Sequence, residues 1–261
     1  MKQKKLHYCW FGGNPKSELI LKCIESWKRF CPDFEIVEWN ENNFNIHSCP
    51  YVEEAYAAKK WAFVSDYARF WILYRHGGVY LDTDVELIRP LKELPDTFVG
   101  FENQTTVASG LIRGALPGDE ICDKMLQSYH ADRFIKADGT LNTMTVCERE
   151  TNILIGYGLK PNGKLQTVNN TTVYPTEYFS PKDYVTQEIN ITDNTVSIHH
   201  YDASWYSVED KYAITLRVKY CKWMPKRMAM LAAKFMAIKH FRGWRTAFAE
   251  GMRFLKRKKN G

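Results

Sequence analysis

Hydrophobic and polar positions along the chain alternate between two periods. Residues 6–11 form an apolar run stopped by Gly12-Gly13-Asn14-Pro15, the pattern of a strand closed by turn residues. Ser17 then offers a helix cap, and Ile20, Ile24 and Trp27 recur at helical spacing until Pro32. Residues 34–39 alternate apolar and polar, which predicts a strand. Residues 51–76 read as one long helix, with Trp61, Val64, Ala68, Trp71, Ile72 and Arg75 close together and Gly77-Gly78 as a left-handed terminator. Val79-Tyr80-Leu81 is a short buried-type strand that runs into Asp82-Thr83-Asp84. Further strands are expected at 98–101, 110–113 and 196–200, and helices near 119–129 and 148–155. Strand and helix in short alternation predict an α/β domain with a largely parallel sheet.

Charge divides the 261-residue chain unevenly. Residues 217–261 hold 14 Lys+Arg against Glu250 alone, a net of +13, while the remainder has 22 against 29, a net of −7. The organisation expected is therefore a domain over 1–216 and a basic tail over 217–261. The tail's apolar positions Met228, Leu231, Phe235 and Ile238 fall in a ~80° arc of a helix, an imperfect amphipathic stripe. Such a tail suits an anionic membrane surface; nucleic acid is not expected, because no recognition fold accompanies the charge. The longest apolar run, 228–233, is far short of the ~20 residues that cross a bilayer. Seven scattered cysteines, never spaced C-x-x-C, read as reduced thiols rather than a zinc site. The basic start followed by a His-containing strand is no signal sequence. Location in the cytoplasm, peripheral at the inner face of the cell membrane, is the expectation.

The candidate chemistry lies at a strand end, where open α/β sheets bind ligands. Two carboxylates at i and i+2 on extended backbone project to one side, ~7 Å apart. Asp82 and Asp84 could share one Mn²⁺ or Mg²⁺, ions that suit carboxylate and phosphate oxygens. The use of such a cation would be to neutralise a departing diphosphate. The triplet is common by chance, so its surroundings carry the weight. The segment 62–84, with Ser65-Asp66-x-x-Arg69 and Gly77-Gly78-Val79-Tyr80-Leu81-Asp82-Thr83-Asp84, resembles the DXD region of family 32 glycosyltransferases. That family includes initiating α-mannosyltransferases and capsule-cluster transferases, and clostridial glucosylating toxins are its relatives. Residues 6–13, 174–181 and 198–205 resemble its opening strand and its two C-terminal signatures, so the likeness spans roughly residues 4–207.

The resemblance implies a GT-A (Rossmann-like) nucleotide-sugar-binding domain that transfers a hexose with retention, using Mn²⁺ or Mg²⁺. It implies Trp10 stacked on the nucleobase and Tyr80 lining the donor pocket. Asp66 would accept from ribose or sugar hydroxyls and Arg69 would reach sugar or phosphate oxygens. Asp82 would bridge ribose and metal-bound water, and Asp84 would ligate the metal. His199 or His200 would be a further ligand, with His200 preferred, and Ser204 with Trp205 would donate to the leaving diphosphate. The expected partners are a nucleoside-diphosphate sugar, UDP-linked by preference, and a glycan or lipid-linked glycan acceptor.

Three other readings remain at this level. A haloacid-dehalogenase-type phosphohydrolase also sets D-x-D after a strand, but at the start of its domain, whereas 81 residues precede Asp82. A glycosidase would use two carboxylates ~5 to 9 Å apart, which leaves Asp66 and Arg69 without a role. A metal-dependent sugar-binding module would direct its affinity to free glycan rather than to nucleotide.

Overall fold

The computed structural model describes residues 3–202 and 207–257. In chain order the elements begin β1 (Lys5–Cys9), α1 (Glu18–Phe30), β2 (Glu35–Trp39), α2 (Pro50–Ala57), α3 (Trp61–His76), β3 (Gly78–Tyr80) and β4 (Val85–Leu87). They continue with β5 (Phe98–Gly100), β6 (Arg113–Ala115), α4 (Glu120–His130), α5 (Val146–Gly156), β7 (Gln166–Val168), β8 (Thr171–Tyr174), α6 (Thr176–Phe179) and β9 (Ser197–His199). The last two are α7 (Val208–Cys221) and α8 (Lys226–Arg257). The chain forms two compact units, one of residues 1–181 and 190–200, the other of residues 182–189 and 201–261.

In the first unit a seven-stranded sheet has the order β2-β1-β3-β6-β5-β8-β7. The pairings make β1, β2, β3, β5 and β8 run one way and β6 and β7 the other. The expected α/β architecture with a largely parallel sheet therefore holds. Alternation puts β1 and β3 in two cores at once. Leu6, Tyr8, Val79 and Leu81 pack with Cys23 and Trp27 on one face, while Cys9 and Tyr80 pack with Val64, Ala68 and Leu73 on the other. Ser17 caps α1 as expected, its hydroxyl accepting from the Ile20 amide.

The single helix expected over 51–76 is two. Lys59, at φ 55°, takes the left-handed position, and the Lys60 amide reaches back to the Ala55 carbonyl at 2.9 Å. That is the closure a glycine usually makes, here made by a lysine, so no residue type announced it. The break lets Trp61 meet the Tyr56 ring edge-on at 5.0 Å. Gly77 does end α3, at φ 62° and ψ −163°, where an added Cβ would lie 2.6 Å from Pro117.

The second unit begins earlier than the charge pattern suggests. The expected boundary at residue 216 falls inside α7, because helix formation there follows the capping box of Ser207 and Asp210 and not the later basic run. The helices α7 and α8 pack along each other, with Tyr212 stacked on His240 at 4.8 Å and Arg242 paired to Glu209 at 2.7 Å. Among the described residues no helix is long and apolar enough to cross a membrane. All seven cysteines are free thiols.

Candidate functional site

Because β1, β3 and β5 share a direction, their carboxyl ends deliver Trp10, Asp82 and Glu102 to one edge of the sheet. Asp82 and Asp84 are not on extended backbone. The chain turns after β3, with the Val85 amide donating to the Asp82 carbonyl at 3.1 Å, while the Asp82 amide donates to the Gly110 carbonyl at 2.9 Å. The turn leads into β4, which pairs antiparallel with β9, Val85 opposite His199.

That pairing decides between the two histidines. His199 Nε2 lies 3.2 Å from Asp84 Oδ1, whereas the preferred ligand His200 is turned onto Glu86 at 2.8 Å, beside Lys22. Neighbouring residues of an extended chain face opposite ways, and His199 is the one whose ring lies beside Asp84. Burial works against charge on its imidazole, but Asp84, with Asp82 and Glu102 adding, holds its pKa above the ordinary value.

Helix α3 supplies the cation. Arg69, 3% exposed, places Nη2 at 2.9 Å from Asp66 Oδ1 and 3.2 Å from Asp82 Oδ1. Its guanidinium also covers the Tyr80 ring at 4.9 Å, and the Tyr80 hydroxyl donates to Asp82 Oδ1 at 3.1 Å. Asp66 and Arg69, one helical turn apart, are therefore not an ordinary pair on a solvated helix face. Burial raises the Asp66 carboxyl to about 6, with Arg69 opposing. Burial likewise raises Asp82, Arg69 opposes, and the neighbouring Asp84 charge adds to the rise. Carboxylates gathered under desolvation with one guanidinium form a site that favours added positive charge.

Two contributors went unread in the sequence. Glu102 lies just beyond β5, and burial raises its carboxyl while His199 opposes and Asp82 adds. The signal was available, since an acid directly follows a strand that ends at this edge. Gly110 is the other. A Cβ there would stand 2.2 Å from Asp82 Oδ2 and 3.0 Å from Arg69 Nη1, so the aspartate–arginine pair fits only against a bare backbone. Nothing local in the sequence marks that approach.

Trp10 follows β1 with its indole N–H donating to the Asn14 carbonyl at 2.7 Å and Lys16 over its ring at 5.6 Å. It stands on the neighbouring strand to the aspartates, since His7 pairs in register with Tyr80. Ser204 and Trp205 lie outside the described residues.

Asp82 and Asp84 offer oxygens and His199 an imidazole, donor types that suit Mn²⁺ or Mg²⁺. Among the described residues no group of three or more His, Cys, Asp or Glu side chains is placed to hold a metal ion. An ion that keeps waters and takes phosphate oxygens from its substrate needs only part of its shell from protein.

Residues 17–99, about a third of the chain, match the family model described as glycosyltransferase sugar-binding region containing DXD motif. The matched stretch holds Asp66, Arg69, Tyr80, Asp82 and Asp84. Among solved structures the chain is similar to one titled PaToxG Glycosyltransferase, at 20% identity and a TM-score of 0.41. The likeness covers 48% of this chain and 59% of that one. No curated protein matches the chain. Residues 17–99 are thus similar to the sugar-binding, DXD-containing region of glycosyltransferases.

Proposed function

We propose that the protein transfers a hexose from a nucleoside-diphosphate sugar, UDP-linked by preference, to a glycan acceptor with retention, as a member of family 32. One observation carries the reading: Asp66, Arg69, Tyr80, Asp82, Asp84 and His199 converge at the carboxyl edge of the sheet, inside the matched DXD region or hydrogen-bonded to it. In the reaction the bond from the anomeric carbon to the diphosphate oxygen breaks and one to the acceptor hydroxyl oxygen forms. The acceptor's proton passes to the departing diphosphate. Asp84, Asp82 and His199 would hold Mn²⁺ or Mg²⁺, which when bound neutralises charge on the diphosphate. Arg69 is the resident cation. Held by Asp66 and Asp82, it orients the donor's sugar or phosphate oxygens without searching rotamers. Asp66 accepts from a sugar hydroxyl and Trp10 stacks on the base; the roles of Ser204 and Trp205 toward the diphosphate rest on the family resemblance alone. The acceptor is a lipid-linked glycan of surface polysaccharide synthesis, met at the inner face of the cell membrane.

The test is a panel of nucleoside-diphosphate sugars, each incubated with and without Mn²⁺ and followed by release of nucleoside diphosphate. One UDP-sugar should be turned over, and only with metal. The Asp84→Asn variant, folded by circular dichroism, should lose about 10²- to 10³-fold in rate, the scale of removing one preorganised charge contact. Release of phosphate from simple phosphomonoesters with no response to any nucleotide sugar would overturn the proposal in favour of a phosphohydrolase.

A further inference from the structure

The α7–α8 hairpin is packed inside out with respect to residue size. The buried positions of α8 are Ala229, Ala233, Ala237, Ile238 and Ala247, mostly one methyl each. Most of its large apolar side chains among the described ones are exposed, namely Met228, Met230, Leu231, Phe241, Trp244, Phe248 and Met252, while Phe235 and Met236 are half-buried. The stripe expected from the periodicity splits accordingly, with Ile238 buried and Met228 and Leu231 in solvent. A helix folded only for a soluble hairpin would put its large residues inside.

Gly243, at φ 82° and ψ 168°, breaks α8. Beyond the break Trp244, Phe248 and Met252 recur every fourth residue, on one helical face. Trp244 is 54% exposed and Phe248 59%, yet their rings stack at 5.8 Å with Phe235 edge-on to both. They form a preassembled aromatic platform in water. Cations flank it. Lys239 Nζ sits 3.9 Å over the Trp244 ring, and Arg245 is the next residue along. Exposed Lys222, Arg227 and Lys234 extend the positive field along α8 and the turn before it, where Trp223 is 67% exposed.

We propose that this exposed face of the hairpin is a docking surface for an anionic lipid bilayer, with Trp244 and Phe248 entering the headgroup region and Lys239 and Arg245 meeting acidic headgroups. Aromatic and Met side chains at the centre with Lys and Arg around them match the two halves of such an interface, apolar acyl boundary and negative surface. A bilayer is favoured over a second copy of this chain because residues 217–261 carry a net +13, which two like-charged faces would have to overcome. The inference does not rest on the proposed activity, and its test reads no turnover.

The full chain is mixed with vesicles of phosphatidylcholine alone or with 30% phosphatidylglycerol, and bound protein is separated by flotation. Binding should require the anionic lipid and weaken with added salt. At about 1 kcal/mol per basic residue near the surface, Lys239→Gln with Arg245→Gln should weaken it about 30-fold. Trp244→Ser with Phe248→Ser should weaken it at least tenfold, and both double variants should keep the wild-type helical circular dichroism. The charge variant alters only exposed or flanking groups, so it decides the matter if the aromatic variant misfolds. Four results would overturn the proposal. They are no association with anionic vesicles at low salt, equal binding to neutral ones, binding unchanged in the charge variant, and tighter retention on an oligonucleotide than on vesicles.

Discussion

The sheet edge of the first unit and the α7–α8 hairpin of the second handle polar and apolar groups in opposite ways. At the edge, charge is taken out of water: Arg69 is buried and Asp66 half-buried, and the two are paired. In the hairpin, apolar surface is left in water: Trp244 and Phe248 are exposed while alanines fill the interior. Both arrangements cost stability in a free domain, by desolvation in one case and by unburied area in the other. Folding alone gives no reason for either. The comparison teaches that the places where a chain departs from ordinary burial are where its ligands are to be sought, and the ligands proposed for these two are a nucleotide sugar and an anionic bilayer.

The contrast can be broken or sharpened by experiment. The largest effect concerns His7, a buried group near neither ligand. Trp39 donates to its Nδ1 at 3.1 Å, so Nε2 carries the hydrogen that meets the Gly77 carbonyl at 2.9 Å. Burial lowers its pKa to about 4, the Gly77 bond opposing. Folded His7 stays neutral down to that pH, while the unfolded imidazole gains a proton near 6.5. The unfolded chain thus binds more protons between the two values, and stability falls as pH drops through that window. Urea unfolding should lose up to about 3 kcal/mol from pH 7 to 4 from this group, and His7→Asn should flatten that part of the profile.

Next is Gly110→Ala. A shift of Asp82 and Arg69 by about an ångström should cost about 10²-fold in kcat with unchanged circular dichroism. A wild-type rate would show that the edge tolerates looser geometry than its packing suggests. Smallest is Ala233→Leu in the hairpin interior. If small residues set the helix spacing there, added bulk should destabilise the second unit by about 2 kcal/mol in thermal unfolding. No change would mean the interior is loose and the outward aromatics are its spillover.

Much of this was legible from local pattern. The first strands, the Ser17 cap, the end of α3 at Gly77 and the placing of Asp82 at a strand's end all follow from residues close in sequence. What was not legible depended on distant pairing. His199 rather than His200 stands beside Asp84 because β9 pairs with β4, more than 100 positions earlier in the chain. Gly110 matters because the loop before β6 touches the turn after β3. The α2–α3 break hid behind a lysine in a glycine's position. In the hairpin the periodicity found the apolar stripe but could not say which face is buried, because alanine registers weakly on any hydrophobic pattern.

The central claim, that Asp82 and Asp84 with His199 form an open cation site completed by a diphosphate, is tested most directly by manganese spin resonance. Titrating protein into Mn²⁺ should remove the free-ion signal weakly alone and at least tenfold more tightly with UDP present, and Asp84→Asn should abolish the difference. Equal manganese binding by the wild-type and the variant, with or without UDP, would contradict the account.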